Sequence, residues 1–138
     1  MGIRIICPCD CSGTLSFAET EGLQMTLDAT ICPTCDAEGS IVTYTQTGAS
    51  FQSTIVRPSN CITHNGTTLL LVSGEGTLQN NAGSFPATFY LVLFERSGDI
   101  QDTFEFSLFY SDNDNLTALR FGRNVDDENL SISECPAE

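Results

Sequence analysis

Tryptophan and lysine are both missing from the 138 residues, and histidine occurs once, at His64. Each absence removes a chemistry. Without lysine no Lys-to-Asn isopeptide bond can form, so a covalent cross-link has to use sulfur. Without tryptophan the usual flat platform for a sugar ring is gone. A Ser or Cys hydrolase needs a base, and the one histidine sits beside Asn65-Gly66, a turn signal, where it reads as a solvent-exposed loop residue. Basic charge is scarce as well. Five arginines, Arg4, Arg57, Arg96, Arg120 and Arg123, lie singly along a chain with 18 acidic residues and a net charge of −13. Nucleic acid and other polyanions are therefore not expected partners. The longest apolar runs, Leu69 to Val72 and Phe89 to Phe94, fall far short of the roughly 20 residues a spanning helix needs, so no membrane partner is expected. No basic stretch followed by a long apolar one opens the sequence, and no LPxTG-like anchor is present. The expectation is a chain without a recognisable signal peptide, or one from which it has been removed.

What the sequence does hold is sulfur. Seven cysteines in one domain's length of chain point to disulfides or a metal. Seven is odd, so complete oxidation leaves at least one cysteine to pair outside its own chain.

Between the cysteines the pattern is all-β. Leu23 to Thr30 alternates apolar and polar residues as a half-buried strand does, and further strands are expected at Ser40 to Gln46 and Phe51 to Arg57. Asn65-Gly66 between Cys61-Ile-Thr63 and Thr67 to Val72 is the strongest hairpin signal. A second hairpin is expected at Gly74-Glu-Gly76. Ala87 to Phe94, nearly continuous in apolar residues, predicts a central strand covered on both faces. Phe104, Phe106, Leu108 and Tyr110 share one face of the next strand and read as core. Strands at Leu116 to Phe121 and Leu130 to Ile132 bring the count to about nine or ten. The fold class expected is all-β, a single β-sandwich or jelly roll (residues 13–138) behind an extended N-terminal arm (residues 1–12).

Residues 5 to 11 read IICPCDC. Pro8 keeps this stretch out of the helical region, so alternate thiols face the same way. Positions i and i+2 of an extended chain lie roughly 6.5 Å apart, whereas a disulfide wants Cβ atoms about 3.5 to 4.5 Å apart. Cys7, Cys9 and Cys11 are then expected to bond elsewhere, with Ile3, Ile5 and Ile6 anchoring the arm to an apolar surface or an open sheet edge. Cys61 and Cys135 lie within reach of a neighbour's arm, although a bond between those two would also close a long loop. The Pro-containing turn Cys32-Pro-Thr-Cys35 suits an intrachain disulfide or a metal. The rival for the same residues is zinc: Cys7 with Cys11 and Cys32 with Cys35 have the spacing of a four-cysteine site. A thiol oxidoreductase reading of Cys32-x-x-Cys35 wants a helix after the first cysteine, and strands flank it. Asp112 to Asn115 and Asp126 to Glu128 lack the full spacing of a calcium loop and read as solvated turns. Asn65, Asn115 and Asn129 head glycosylation triplets, relevant only in a eukaryotic host.

Two resemblances follow. Gly74-Glu-Gly-Thr-Leu78, the apolar strand after it, Gly98-Asp99 and Asp102-Thr-Phe104 resemble a small β-sandwich domain of secreted bacterial proteins over residues 39–121, which bears on fold alone. The arm, Ile6 followed by Cys7, Cys9 and Cys11 ahead of an acidic all-β body, resembles the subunits of bacterial endospore appendages. That likeness implies a jelly-roll subunit of a homopolymeric filament, on the spore surface or otherwise extracellular. It implies intersubunit disulfides from Cys7, Cys9 and Cys11 with Cys61 or Cys135 as acceptors. With no catalytic set in the sequence, neither catalytic residues nor a cofactor are expected. A carbohydrate- or surface-binding module is the other expectation, favoured by any row of exposed aromatics on one sheet face.

Overall fold

The computed structural model describes residues 9–22, 24–98, 100–112 and 114–135. Ile3, Ile5, Ile6 and Cys7 lie outside the described residues. Ten strands form: β1 (Cys11–Glu19), β2 (Met25–Ile31), β3 (Ile41–Gln46), β4 (Ala49–Val56), β5 (Asn60–His64), β6 (Thr67–Asn80), β7 (Gly83–Arg96), β8 (Asp102–Asp112), β9 (Asn115–Val125) and β10 (Leu130–Glu134), with one 3-10 turn, Asp127–Asn129, before the last. The all-β expectation and its strand count hold.

The strands make one continuous antiparallel sheet in the order β10-β1-β2-β3-β4-β6-β7-β8-β9, with β5 pairing β6 alongside β4. It curls into a nearly closed, barrel-like form. Two facing sheets joined by jelly-roll crossovers were expected, and the nearest-neighbour order differs from that. The physical reason lies in β6 and β7, 14 residues each. One half of β6 pairs with β5 and the other with β4, across a bulge between Ser53 and Ile55, so the sheet bends without breaking. Side chains draw the ends of the curl together: Arg123 of β9 pairs with Glu19 of β1 at 3.4 Å, and Glu95 of β7 accepts the Ile132 amide of β10 at 3.0 Å.

Period-two burial decides which side of the sheet is core. Leu15, Leu27, Ala29, Val42, Tyr44, Phe51, Phe89, Leu91, Leu93, Phe104, Phe106 and Leu108 all point inward and are buried. Aromatic rings fill the middle. Phe17 lies edge-on to Phe104 at 5.0 Å between centroids, and Tyr44 packs on Phe106 at 5.5 Å and Phe121 at 5.6 Å.

Asn65-Gly66 forms the expected turn, with φ of 50° and 80°, the left-handed pair that a two-residue hairpin requires. Gly74-Glu-Gly76 does not turn. Both glycines lie inside β6, where a Cβ on Gly74 would overlap the Ile55 carbonyl and a Cβ on Gly76 the Gln52 carbonyl. The glycines mark a close backbone approach at the bend, and the chain reverses later, at residues 81–82. Strand β7 also departs from expectation: Ala87, Phe89, Leu91 and Leu93 are buried, but no layer among the described residues covers the other face, and Tyr90 is 52 % exposed. The expected boundary between arm and body, after residue 12, falls inside β1, so Cys9 to Ser12 belong to the body.

Candidate functional site

One pole of the barrel gathers six cysteines. Cys9 enters it just before β1, donating its amide to the Cys35 carbonyl at 3.1 Å. Cys32 closes β2, and the segment 32–40 that follows turns tightly, with Cys32 and Cys35 both at positive φ and the Cys35 amide on the Cys32 carbonyl at 2.8 Å. Ser40 Oγ accepts the Cys32 amide at 2.7 Å. Cys61 sits on β5, and Cys135 follows β10 with its amide on the Asp10 carbonyl at 3.2 Å.

The bonds are Cys9–Cys32, Cys11–Cys61 and Cys35–Cys135, with Cα separations of 6.3, 6.2 and 5.6 Å. All lie within the normal range for a disulfide. This pairing corrects several expectations. Cys9, Cys11, Cys61 and Cys135, expected to join neighbouring subunits, are bonded inside the chain. Cys32 and Cys35 do not bond each other, because β2 and the segment after it deliver them to different partners. The surface that Cys9 and Cys11 meet is their own chain's, since β1 begins at Cys11 and lies between β2 and β10. The zinc set of Cys7, Cys11, Cys32 and Cys35 fails for the same reason. Three of its four sulfurs are committed to disulfides, which leaves them no thiolate to give a metal. Among the described residues no cluster of three His, Cys, Asp or Glu side chains is placed to hold a metal.

The bonds span 23, 50 and 100 residues of sequence. In the chain-entropy account each closes a loop worth about 3 to 5 kcal/mol against the unfolded state. Sequence reasoning missed the group that organises this pole: Ser59, buried, donates its hydroxyl to the Cys11 carbonyl at 2.6 Å, while its own carbonyl accepts the Asp10 amide at 3.2 Å. Nothing in the local sequence marks it. Disulfides of this kind belong to an oxidising, extracellular type of environment. No helix among the described residues is long and apolar enough to cross a membrane.

The opposite pole holds a cleft of about 220 Å³ lined by Tyr44, Gln46, Leu78, Leu108, Tyr110 and Leu119. That is smaller than a typical small-molecule site. Tyr44 donates its hydroxyl to Gln46 Oε1, and burial raises its pKa against the lowering influence of Arg123. His64 is exposed, and its Nε2 lies 3.1 Å from Asn65 Nδ2. Asp102 is the one buried carboxylate among the described residues, accepting the Arg96 amide at 2.8 Å. Burial is the main force raising its pKa, the Arg96 amide opposes it, and the Asp127 carboxylate nearby reinforces it.

The outer face of β5, β6 and β7 is the remaining feature. Register sets Ile62 beside Leu69 and Leu69 beside Phe94, with Leu71 beside Val92 in the next row. Ile62 is 58 % exposed and Leu71 37 %, with Leu69, Val92 and Phe94 half-buried between them. Tyr90 meets Phe109 of β8 edge-on at 5.9 Å, and the Arg96 guanidinium lies over Phe94 at 5.9 Å. The signal for this face was present in the sequence: the alternate set Thr88, Tyr90, Val92 and Phe94 is as apolar as a surface row seldom is. Compared with protein-family models, with curated proteins and with solved structures, the chain finds no match.

Proposed function

We propose that this chain is a non-enzymatic structural subunit that associates with copies of itself in an extracellular or spore-surface setting. The observation that carries the reading is the cysteine count. Six of seven cysteines are bonded to one another, so no cysteine of its own chain is left for Cys7. One such thiol per chain can link two chains and no more. A longer assembly, such as the filament that the resemblance implies, then depends on non-covalent contact between subunits, for which the apolar sheet face left open among the described residues is suited.

Mass spectrometry of the purified protein under denaturing, non-reducing conditions tests it. The expected wild-type species is a covalent dimer that collapses to a monomer on reduction, and Cys7→Ser is expected to give a monomer retaining three disulfides. A wild-type chain that stays monomeric in air, with one free thiol, and shows no association under native conditions would overturn the reading.

A second reading has one observation in its favour. Tyr90 and Phe109 form an aromatic pair on the outer face, the arrangement a carbohydrate- or surface-binding module would use. Loss of glycan retention on Tyr90→Ala, with the oligomeric state unchanged, would select it.

A further inference from the structure

We infer that the mouth of the barrel opposite the disulfides is a binding site for one small uncharged molecule, an aromatic ring whose short substituent carries a carbonyl acceptor. The site is independent of the self-association reading and asks nothing of a second chain.

The mouth lies where the inward rows of several strands run out. On β3 the inward row passes from Tyr44 to Gln46, on β6 from Leu78 to Asn80, and on β8 from Leu108 to Tyr110. The step is alike on each strand: a large, buried side chain deeper in, then a half-buried, uncharged hydrogen-bonding one at the rim. Leu119 of β9 completes the apolar wall of a cleft of about 220 Å³. Its floor and rim are fixed by ring packing. Tyr44 is wedged against Phe106 and Phe121, with centroids 5.5 and 5.6 Å away, and Phe85 holds the Tyr110 ring at 5.9 Å.

Size and polarity choose the occupant. An apolar cavity of about 150 Å³ is enough to hold benzene, so the cleft suits one ring with a short substituent and nothing of drug size. The mouth of a β-barrel is a usual place for such a ligand. Although the chain has 18 acidic residues, no charged side chain among the described residues lines the cleft. An ion of either sign would give up its hydration there with no counter-charge to replace it.

The rim supplies donors. Tyr44 donates its hydroxyl to Gln46 Oε1, and Asn80 Oδ1 accepts the Ala82 amide at 2.8 Å. Both side-chain amide oxygens are thus engaged, while the hydrogens on Gln46 Nε2 and Asn80 Nδ2 meet no protein acceptor among the described residues. A carbonyl oxygen complements such groups, and the ring below it would bury its area against Leu78, Leu108 and Leu119.

Three probes separate these requirements. Acetophenone has the ring and the acceptor, ethylbenzene the ring alone, and benzoate the ring with a charge. Each is titrated into full-length, oxidised protein while two-dimensional NMR reads backbone and side-chain amides. Acetophenone is expected to give saturable shifts at the Gln46 and Asn80 side-chain amides and at Gly48, with a Kd of about 1 mM, as befits so few heavy atoms. Ethylbenzene and benzoate are expected to bind about tenfold more weakly. Gln46→Glu puts a charge at the rim and is expected to weaken acetophenone about tenfold, while Ala49→Phe fills the cleft and is expected to abolish its shifts. Amide shifts at Ile31 and Leu91 that match the wild type verify that each variant is folded, and if Ala49→Phe fails that check, Gln46→Glu decides. No saturable shift at the mouth, shifts of wild-type size in the folded variants, or ethylbenzene or benzoate binding as tightly as acetophenone would overturn the inference.

Discussion

The two poles of this barrel are held by different forces. At one, three disulfides tie the start of β1, the segment after β2, β5 and the C-terminal end of β10 into a knot of short, polar, turn-rich chain. At the other, and through the middle, the described residues form no sulfur bond. Phe17, Tyr44, Phe104, Phe106 and Phe121 interlock across the curl of the sheet instead. The difference follows from what each region has to bury. Long strands bring alternate large side chains inward and need no staple. Loops and termini have little apolar area to hide, so cross-links that restrict the unfolded chain take over there.

The sharpest way to break this comparison is in the aromatic half. Phe106→Ala removes a ring that is wholly buried against Tyr44 and Phe121 and is expected to cost about 3 to 5 kcal/mol, lowering stability globally. Chemical denaturation followed by far-UV and near-UV circular dichroism checks it, with both signals expected to shift together. The corresponding cut at the sulfur pole is the double variant Cys11→Ser with Cys61→Ser. Its expected cost is about 2 to 4 kcal/mol, and its signature is local, with faster amide exchange in β5 and unchanged protection in β8. Equal loss of protection in both regions would show that the poles are not independent.

The smallest effect concerns Asp102, which lies at neither pole's centre. Its folded pKa is raised by burial, so the native state binds this proton more tightly than the unfolded chain does. Stability is then greatest below the ordinary carboxylate pKa and falls as pH rises toward the folded value, beyond which the loss is complete. Asp102→Asn keeps an acceptor for the Arg96 amide and removes the charge. Thermal melts are expected to show a modest rise in Tm at neutral pH and a shallower gain on acidification than in the wild type. A lower Tm for Asp102→Asn at neutral pH would mean that the carboxylate is stabilised by its hydrogen bond more than it is penalised by burial.

Local chemistry was enough for the sequence by itself to determine the all-β class, most strands after Leu23, the Asn65-Gly66 turn and the inward row Phe104, Phe106 and Leu108, though not β1. Each depends on neighbours along the chain, on a backbone angle or on a period of two. Composition likewise determined that sulfur, and not lysine, would do any cross-linking. Only the tertiary structure decided which cysteines bond, because bridges spanning 23, 50 and 100 residues depend on strand order, which no local spacing encodes. The same holds for Gly74 and Gly76. In the sequence they read as a turn; in the fold they are the places where β4 comes too close to β6 for a side chain, a fact about a partner strand some 20 residues away. It holds for β7 as well: its two apolar rows are nearly equal in sequence, and only the direction in which the sheet curls made one of them core and left the other facing out.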